Sequence, residues 1–175
     1  THIRSHPKAL GLAGPSPQTC AVHVQFPRDE SKDGPSAGIT MATTIASALL
    51  KIPVRKNVAM TGEITLRGRV MPIGGLKEKM LAAHRAGIDT VLVPIDNRKD
   101  LREIPKRVLK TTRVVLVEHM DQVLAEALVL SDPDELFGQN RTLPIEYRQG
   151  KLIEPATETP SDVPEPTADA PGAQQ

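Results

Sequence analysis

Short apolar runs alternate with segments of helical periodicity along most of this chain, and this alternation constrains its fold more than any other feature. Two runs, TVLVP at 90–94 and RVVLV at 113–117, have the length and β-branched content of buried strands. A helical pattern precedes the first run, and Gly87 is placed to end that helix. The sequence therefore predicts an α/β (α+β) domain.

The other elements are predicted from the same kinds of pattern. Residues 20–26 predict a strand, and residues 58–72, interrupted at Gly62 and Gly68, predict a hairpin or a meander. The predicted helices cover 36–51, 76–87, a short stretch within 97–110 and, as the last helix, 121–130.

The length of 175 residues suggests one folded domain. We expect a partial N-terminal segment or loop at 1–18, the domain at 19–131, a C-terminal extension at 132–153 and a tail at 154–175. The tail has five acidic residues, five prolines and no lysine or arginine. It is predicted to be disordered, because it offers too little apolar surface to offset its chain entropy.

Composition excludes several classes of protein and partner. The single cysteine, Cys20, allows no internal disulfide and fits a reducing compartment, so a cytoplasmic location is predicted. No apolar run approaches the roughly 20 residues that cross a bilayer, and no membrane partner is expected. Without a dense basic run or an RNA-binding aromatic motif, nucleic acid is not expected either. The chain lacks an initiator methionine, which favours a fragment.

The stretch KDGPSAG at 32–38 places Ser36 after Gly34-Pro35 and before a run of small residues. Two interpretations of Ser36 remain open. It is either a helix N-cap, the commoner role for serine at such a position, or a nucleophile held at the positive end of a helix. In the second case, free N–H groups and the helix dipole would stabilise an oxyanion.

Other candidate chemistries are weaker. Cys20 lies in an apolar strand pattern typical of a core residue, and the five histidines show no metal-ligand spacing such as HExxH. His23 lies on the predicted strand that leads towards Ser36, and a structural role is favoured for it. The GGLKEK stretch lacks the GxxxxGK[ST] pattern of a P-loop, so no ATP site is predicted in this chain.

A serine nucleophile without a histidine partner requires another base, and a lysine serves if apolar neighbours desolvate its amine and lower its pKa. On the helix after Gly75, at about 100° per residue, Lys79 lies roughly 40° from Ala83 on the apolar face and Lys77 roughly 120° from it. The apolar face comprises Leu76, Met80, Ala83 and Gly87. Lys79 is thus the candidate base. The alternative is that its side chain passes its apolar neighbours to reach water.

Three stretches carry a resemblance to a known family: KDGPSAGITMATTIASALL, PVRKNVAMTGEITLRGRVMPIGGLKEKMLAAHRAGIDTVLVP and NRKDLREIP. Together they resemble the C-terminal proteolytic domain of Lon-type ATP-dependent serine proteases (endopeptidase La). The match is nearly continuous over 32–105 and fainter to about residue 130. It implies the Lon proteolytic-domain fold, a mixed sheet packed with helices, with the early strands of the domain missing from this N-terminally truncated chain.

The resemblance implies roles for individual residues. Ser36 matches the nucleophile and Lys79 the general base, the same lysine that helical geometry selects. Thr61 matches a threonine that helps to hold this pair, and Asp33 matches a loop aspartate that swings to block the site in some members. The turn that presents the serine is shaped by Gly34, Pro35 and Gly38.

The implied function is a serine endopeptidase that cleaves unfolded or damaged proteins by acyl transfer as part of ATP-dependent degradation. The resemblance implies no cofactor in this chain, because ATP and Mg²⁺ are used by the ATPase module of full-length relatives. The expected partners are unfolded protein or peptide substrates, copies of the chain in a hexameric ring, and an ATPase module that is separate or missing.

The chain departs from the family pattern before the catalytic loop, where the family usually reads HxHVPEG. Ala21 replaces the first histidine, His23 keeps the second, Ser31 replaces a usual proline, and the loop is one residue longer. These changes and the missing upstream part keep an alternative open: a catalytically inactive remnant that serves as an assembly or interaction module. A Lon-like domain of DNA-repair ATPases ranks lower, because such domains generally lack the Ser–Lys pair.

Overall fold

The computed structural model of the chain describes residues 22–24, 34–138 and 142–155. The elements follow in this order: a 3₁₀ turn Pro35–Ala37, α1 Gly38–Leu50, β1 Val58–Met60, β2 Glu63–Ile64, β3 Val70–Met71, α2 Leu76–Arg85, β4 Thr90–Pro94, a 3₁₀ segment Ile95–Glu103, α3 Lys106–Thr111, β5 Arg113–Val117, α4 Met120–Ala127, α5 Pro133–Phe137, β6 Ile145–Arg148 and β7 Lys151–Ile153. None of the described helices combines the length and apolar character needed to cross a bilayer.

Five strands form one mixed sheet in the order β1-β4-β5-β6-β7. The first three are parallel, and β6 and β7 are added in antiparallel orientation. The predicted α/β class and mixed sheet are confirmed, and the strands predicted at 90–94 and 113–117 have the observed bounds. Residues 145–153, which sequence analysis placed in a C-terminal extension, supply the last two strands of this sheet.

Helices cover both faces of the sheet, which explains why β4 and β5 are apolar at nearly every position. One apolar cluster packs with α1 and α4, and its members from β4 and β5 are Leu92, Val115 and Val117. The other packs with α2, the 3₁₀ segment and α3, and its members from β4 and β5 are Val91, Val93, Val114 and Leu116. The core therefore lies in two layers that the parallel strands separate.

A separate hairpin, β2–β3, lies beside the start of α1 and pairs Glu63 with Met71 and Ile64 with Val70. The hairpin prediction is confirmed for this part of 58–72, whereas β1 joins the main sheet. Two backbone hydrogen bonds attach the hairpin to the segment before α4: Val70 N–H donates to Glu118 O and Met120 N–H donates to Gly68 O, both at 2.8 Å.

The end of α2 is determined by a local sequence signal, a glycine just after the helix. Gly87, at φ +72°, ends α2 as predicted, and the N–H groups of Gly87 and Ile88 donate to His84 O and Ala83 O in a Schellman motif. The prediction that the last helix covers 121–130 is wrong, because α4 ends at Ala127 and α5 follows.

The start of α5 has a local cause in the stretch SDPDE. The Asp132 carboxylate accepts the Asp134 N–H at 2.9 Å, and Pro133 occupies the first helical position, where its missing N–H costs nothing. The stretch that follows the predicted last helix therefore starts a short helix of its own.

The short helix expected within 97–110 is confirmed as α3, which ends one residue beyond that range. A 3₁₀ segment precedes it, with Ile104 and Pro105 between them. Of the strand predicted at 20–26, only 22–24 lie among the described residues, and these are not in a strand. Val22 and His23 are exposed there, and Val24 is half-buried. The segment 1–18 and the residues of the tail beyond Pro155 lie outside the described residues.

Arg113, at the start of β5, connects three elements. Its guanidinium pairs with Glu126 of α4 at 2.7 Å and with Glu146 of β6. The hydrogen bond from Arg113 lowers the pKa of the Glu146 carboxyl, against the opposing effect of partial burial. The hydrogen bond with Glu146 in turn raises the pKa of Arg113. These ion pairs attach the antiparallel part of the sheet to its parallel part.

Candidate functional site

Ser36 lies in the 3₁₀ turn that leads into α1. Gly34 precedes this turn with φ +81°, a conformation that favours glycine, and Pro35 opens it with a fixed φ. The residue at the N-cap of α1 is Ala37, and no side chain caps the helix. The N-cap interpretation of Ser36 is therefore wrong. Its hydroxyl is instead directed to a partner 43 residues away, and Lys79 Nζ donates to Ser36 Oγ at 3.3 Å.

The main chain of Ser36 is held by the segment after β1. Gly62 N–H donates to Ser36 O at 2.8 Å, and the Thr61 hydroxyl donates to the same oxygen at 3.3 Å. Thr61 is only 6% exposed, and its own N–H donates to Leu92 O of β4. Thr61 thus connects the carbonyl of Ser36 to the carboxyl end of β1 and to the middle of β4. This is close to the edge where α/β proteins commonly place their sites.

Sequence analysis missed the part played by Gly62, which it treated only as a break between strands. A Cβ on Gly62 would lie 2.9 Å from Val70 Cγ1 and 3.1 Å from Ile39 Cδ1. Ile39 N–H also donates to Gly62 O at 3.1 Å. The absence of a side chain therefore allows the chain after β1 to approach α1 closely. A glycine within the stretch TGE was the available signal.

Gly38 makes a similar close approach on the other side of this contact. A Cβ there would lie 3.1 Å from the backbone nitrogen of Ile64 in β2. The Gly38 N–H donates to Pro35 O, and the Ile39 N–H is already used by Gly62 O. Two N–H groups at the start of α1 are thus engaged by the protein itself.

Lys79 lies in the first turn of α2, where its N–H donates to Gly75 O at 3.3 Å. It is half-buried, whereas Lys77 is exposed. The neighbouring residues of the apolar face are buried as predicted: Leu76, Met80 and Ala83. Helical geometry therefore identified the lysine that faces the interior. Its amine ends at Ser36 Oγ, so the interpretation that it extends past its neighbours to water is wrong.

Two further residues, Asp33 and His23, are predicted to support this pair. Asp33 lies outside the described residues. His23 is exposed and, within the described ranges, makes no hydrogen bond to Ser36 or Lys79. The described residues also contain no group of three or more His, Cys, Asp or Glu side chains that would hold a metal ion.

The arrangement has the parts of a serine nucleophile activated by an amine. A hydroxyl and an amine lie at hydrogen-bond distance, and the serine main chain is fixed by two donors to its carbonyl. The serine also lies just before the N-terminus of a 13-residue helix, whose dipole favours negative charge there. Such an arrangement is chemically suited to acyl transfer.

The chain is similar to a known protein family and to several curated proteins. The family described as the Lon protease (S16) C-terminal proteolytic domain matches residues 1–130. Lon protease 3 of Sorangium cellulosum is 55% identical over 174 residues, which cover 98% of this chain and 21% of that protein. Lon protease 1 of Syntrophobacter fumaroxidans is 59% identical over 138 residues, 78% of this chain and 17% of that protein.

A third relative, the Lon protease of Heliobacterium modesticaldum, is 54% identical over 145 residues, 82% of this chain and 18% of that protein. The chain thus spans about a fifth of the length of the curated relatives that it matches. The resemblance inferred from the three sequence stretches is confirmed. The chain belongs to the Lon protease (S16) C-terminal proteolytic domain family.

Proposed function

We propose that this chain is the proteolytic part of an ATP-dependent protease, a serine endopeptidase with Ser36 as nucleophile and Lys79 as general base. The observation that carries the proposal is the 3.3 Å hydrogen bond from Lys79 Nζ to Ser36 Oγ. These two residues come from separate elements, the 3₁₀ turn before α1 and the first turn of α2. Family membership and the position of Ser36 at a helix start support the same reaction class.

The proposed reaction proceeds in two halves. Neutral Lys79 takes the proton of Ser36 as Oγ bonds to the peptide carbonyl carbon, and the carbonyl oxygen becomes an oxyanion. As the C–N bond breaks, the Lys79 ammonium gives its proton to the leaving amine, and an ester to Ser36 remains. Lys79 then takes a proton from water while hydroxide adds to the ester carbon. Ser36 Oγ leaves and recovers a proton from Lys79.

The surroundings of Ser36 support this reaction by restricting motion and by their electrostatics. The two hydrogen bonds to Ser36 O, from Gly62 N–H and Thr61 Oγ1, would hold the nucleophile in one orientation towards Lys79. The dipole of α1 would favour the developing oxyanion. Because Gly38 and Ile39 already use their N–H groups, the direct oxyanion donors in this proposal are other groups.

The remaining parts of the proposal concern partners and setting. The reaction uses only side chains and water, so no cofactor is proposed for this chain. ATP and Mg²⁺ would act in an ATPase module, the substrates would be unfolded or damaged proteins, and the assembly would be a hexameric ring of identical chains. The single cysteine supports a cytoplasmic setting. The roles of His23 and Asp33 stay predictions from the family.

Hydrolysis of an unstructured fluorogenic peptide by the 175-residue chain tests this proposal, because such a peptide requires no unfolding. We expect hydrolysis by the wild-type chain and none by Ser36→Ala. Reaction with a fluorophosphonate, followed by mass spectrometry of the peptide that contains Ser36, reports the reactivity of the nucleophile separately. A folded wild-type chain that neither hydrolyses the peptide nor is labelled at Ser36 would contradict the proposal and favour a non-catalytic interaction module.

A further inference from the structure

The side chain of Asn97 makes two hydrogen bonds to the main chain of a single residue, Ile73. Ile73 N–H donates to Asn97 Oδ1 at 3.0 Å, and Asn97 Nδ2 donates to Ile73 O at 2.8 Å. Asn97 is only 2% exposed, in the 3₁₀ segment that follows β4. A buried amide that satisfies both main-chain groups of one residue holds that residue as a neighbouring strand would.

The orientation of this amide is determined by a third contact. Asn97 Nδ2 also donates to Asp100 Oδ2 at 2.6 Å, three residues further along the same segment. If the amide were turned over, its oxygen would face two acceptors, and its NH₂ group would face the Ile73 N–H. Only one orientation therefore satisfies all three contacts.

Ile73 lies three residues before α2, the helix that carries Lys79 in its first turn. Between them lie Gly74 and Gly75, which restrict the backbone less than any other residue type. Gly75 is the N-cap of α2, in a left-handed conformation, and no side chain caps the helix. No neighbouring side chain therefore fixes the start of α2. The hydrogen bonds from Asn97 hold it instead.

The same 3₁₀ segment and the residue that follows it also fix α2 through apolar contacts. Leu101 and Ile104 are buried in one cluster with Leu76 and Met80 of α2. The polar contacts at Ile73 determine where the chain enters the helix, and the apolar contacts determine which face is buried. Lys79 lies between Leu76 and Met80 in sequence, so both sets of contacts act on the position of its amine.

We propose that Asn97 is a positioning residue for Lys79, which keeps Nζ within reach of Ser36 Oγ by fixing the start of α2. This inference rests on the proposed function. Asn97 touches neither Ser36 nor the amine, so its effect passes through the backbone of Ile73 and the first turn of α2. Sequence analysis missed it, because a lone asparagine after a strand carries no motif.

A double-mutant cycle on the 175-residue chain tests this proposal, with the rate of Ser36 labelling by a fluorophosphonate as the readout. We expect Asn97→Ala to slow labelling by up to about 100-fold, the loss typical of a reacting group displaced by about 1 Å. In a chain that already has Lys79→Ala, adding Asn97→Ala should cause no further loss, because the two residues act through one group. Equal fold losses in both backgrounds would overturn the proposal.

Asn57→Ala is the matched control. Asn57 is an exposed asparagine whose amide binds the Asp89 carboxylate just before β4, away from Lys79, and its removal should leave labelling unchanged. Asn97→Asp is a second variant in case Asn97→Ala does not fold. It keeps the acceptor for Ile73 N–H, loses the donor to Ile73 O, and should also slow labelling. Wild-type labelling rates in a folded Asn97→Asp chain would overturn the proposal.

Hydrogen exchange on the unmodified chain tests the contact itself. The Ile73 amide should exchange much more slowly than that of exposed Gly74, and equal rates would overturn the proposal. The outcomes also separate the two hypotheses. If Ser36 is not labelled in the wild-type chain, the proposed function fails. If Ser36 labelling depends on Lys79 but not on Asn97, only this inference fails.

Discussion

Gly62→Ala is the substitution whose effect follows most directly from the structure. The added methyl group would lie 2.9 Å from Val70 Cγ1, and 3.1 Å and 3.3 Å from two side-chain carbons of Ile39. Carbon atoms pack at about 3.5–4.0 Å, so each contact is too short by several tenths of an ångström. Ile39 and Val70 are 0% and 1% exposed, respectively, so neither side chain has room to move away.

Overpacking of this kind typically costs about 1–3 kcal/mol of unfolding free energy. In a chain of this size, each kcal/mol corresponds to a fall of roughly 2–4 °C in the melting temperature. We therefore expect Gly62→Ala to melt several degrees below the wild-type chain. Peptide hydrolysis should also fall at temperatures where the variant is folded, because Gly62 N–H holds the carbonyl of Ser36.

Gly74→Ala is the matched control for this measurement. A Cβ on Gly74 meets no atom within 4 Å, and its φ is not positive. Replacing such a glycine stabilises a protein by about 0.4–1 kcal/mol through the lower entropy of the unfolded chain. Thermal unfolding followed by circular dichroism compares the two variants. If Gly62→Ala is as stable as Gly74→Ala, the reasoning about close packing between the chain after β1 and α1 is refuted.

Three further predictions concern the proposed base, the ion pairs and the tail. Lys79→Ala should lower peptide hydrolysis by at least about 100-fold, the usual contribution of a general base, whereas Lys77→Ala should leave it largely unchanged. The pKa of Glu146 is lowered by Arg113, so its stabilising effect is complete above its unfolded-state pKa and is lost as the pH falls through its lower folded-state pKa. Thermal melts between about pH 2 and 5 should therefore lose less stability in Glu146→Gln than in the wild-type chain. Deleting residues 154–175 should leave the melting temperature nearly unchanged, as differential scanning calorimetry would show.

Each of these predictions has a result that contradicts it. A larger loss of hydrolysis in Lys77→Ala than in Lys79→Ala would reverse the assignment of the base. Exposed Glu103→Gln is the control for the acid melts, and equal pH dependence in Glu146→Gln and Glu103→Gln would disprove the role of the Arg113 ion pair. A large drop in melting temperature on deleting the tail would show that these residues contribute to the folded core.

Sequence patterns predicted the local parts of this fold well. The runs at 90–94 and 113–117 are strands with the predicted bounds, and Gly87 ends α2. The buried face of α2 also follows from its sequence, and so does the choice of Lys79 over Lys77. Each of these features depends on residues within one or two turns of each other, where periodicity and backbone preference act without help from the rest of the chain.

Local sequence patterns say little about which distant segments meet, and those contacts are decided by the tertiary structure. In the folded chain, Lys79 lies beside Ser36, which is 43 residues away in sequence. Ser36 makes this contact and does not cap α1. Asn97 binds the main chain of Ile73. The tertiary structure also adds β6 and β7 to the sheet. Such contacts depend on which strands pair and which side chains share a core. Local sequence carries little information about them, because their energies arise only when the whole chain has folded.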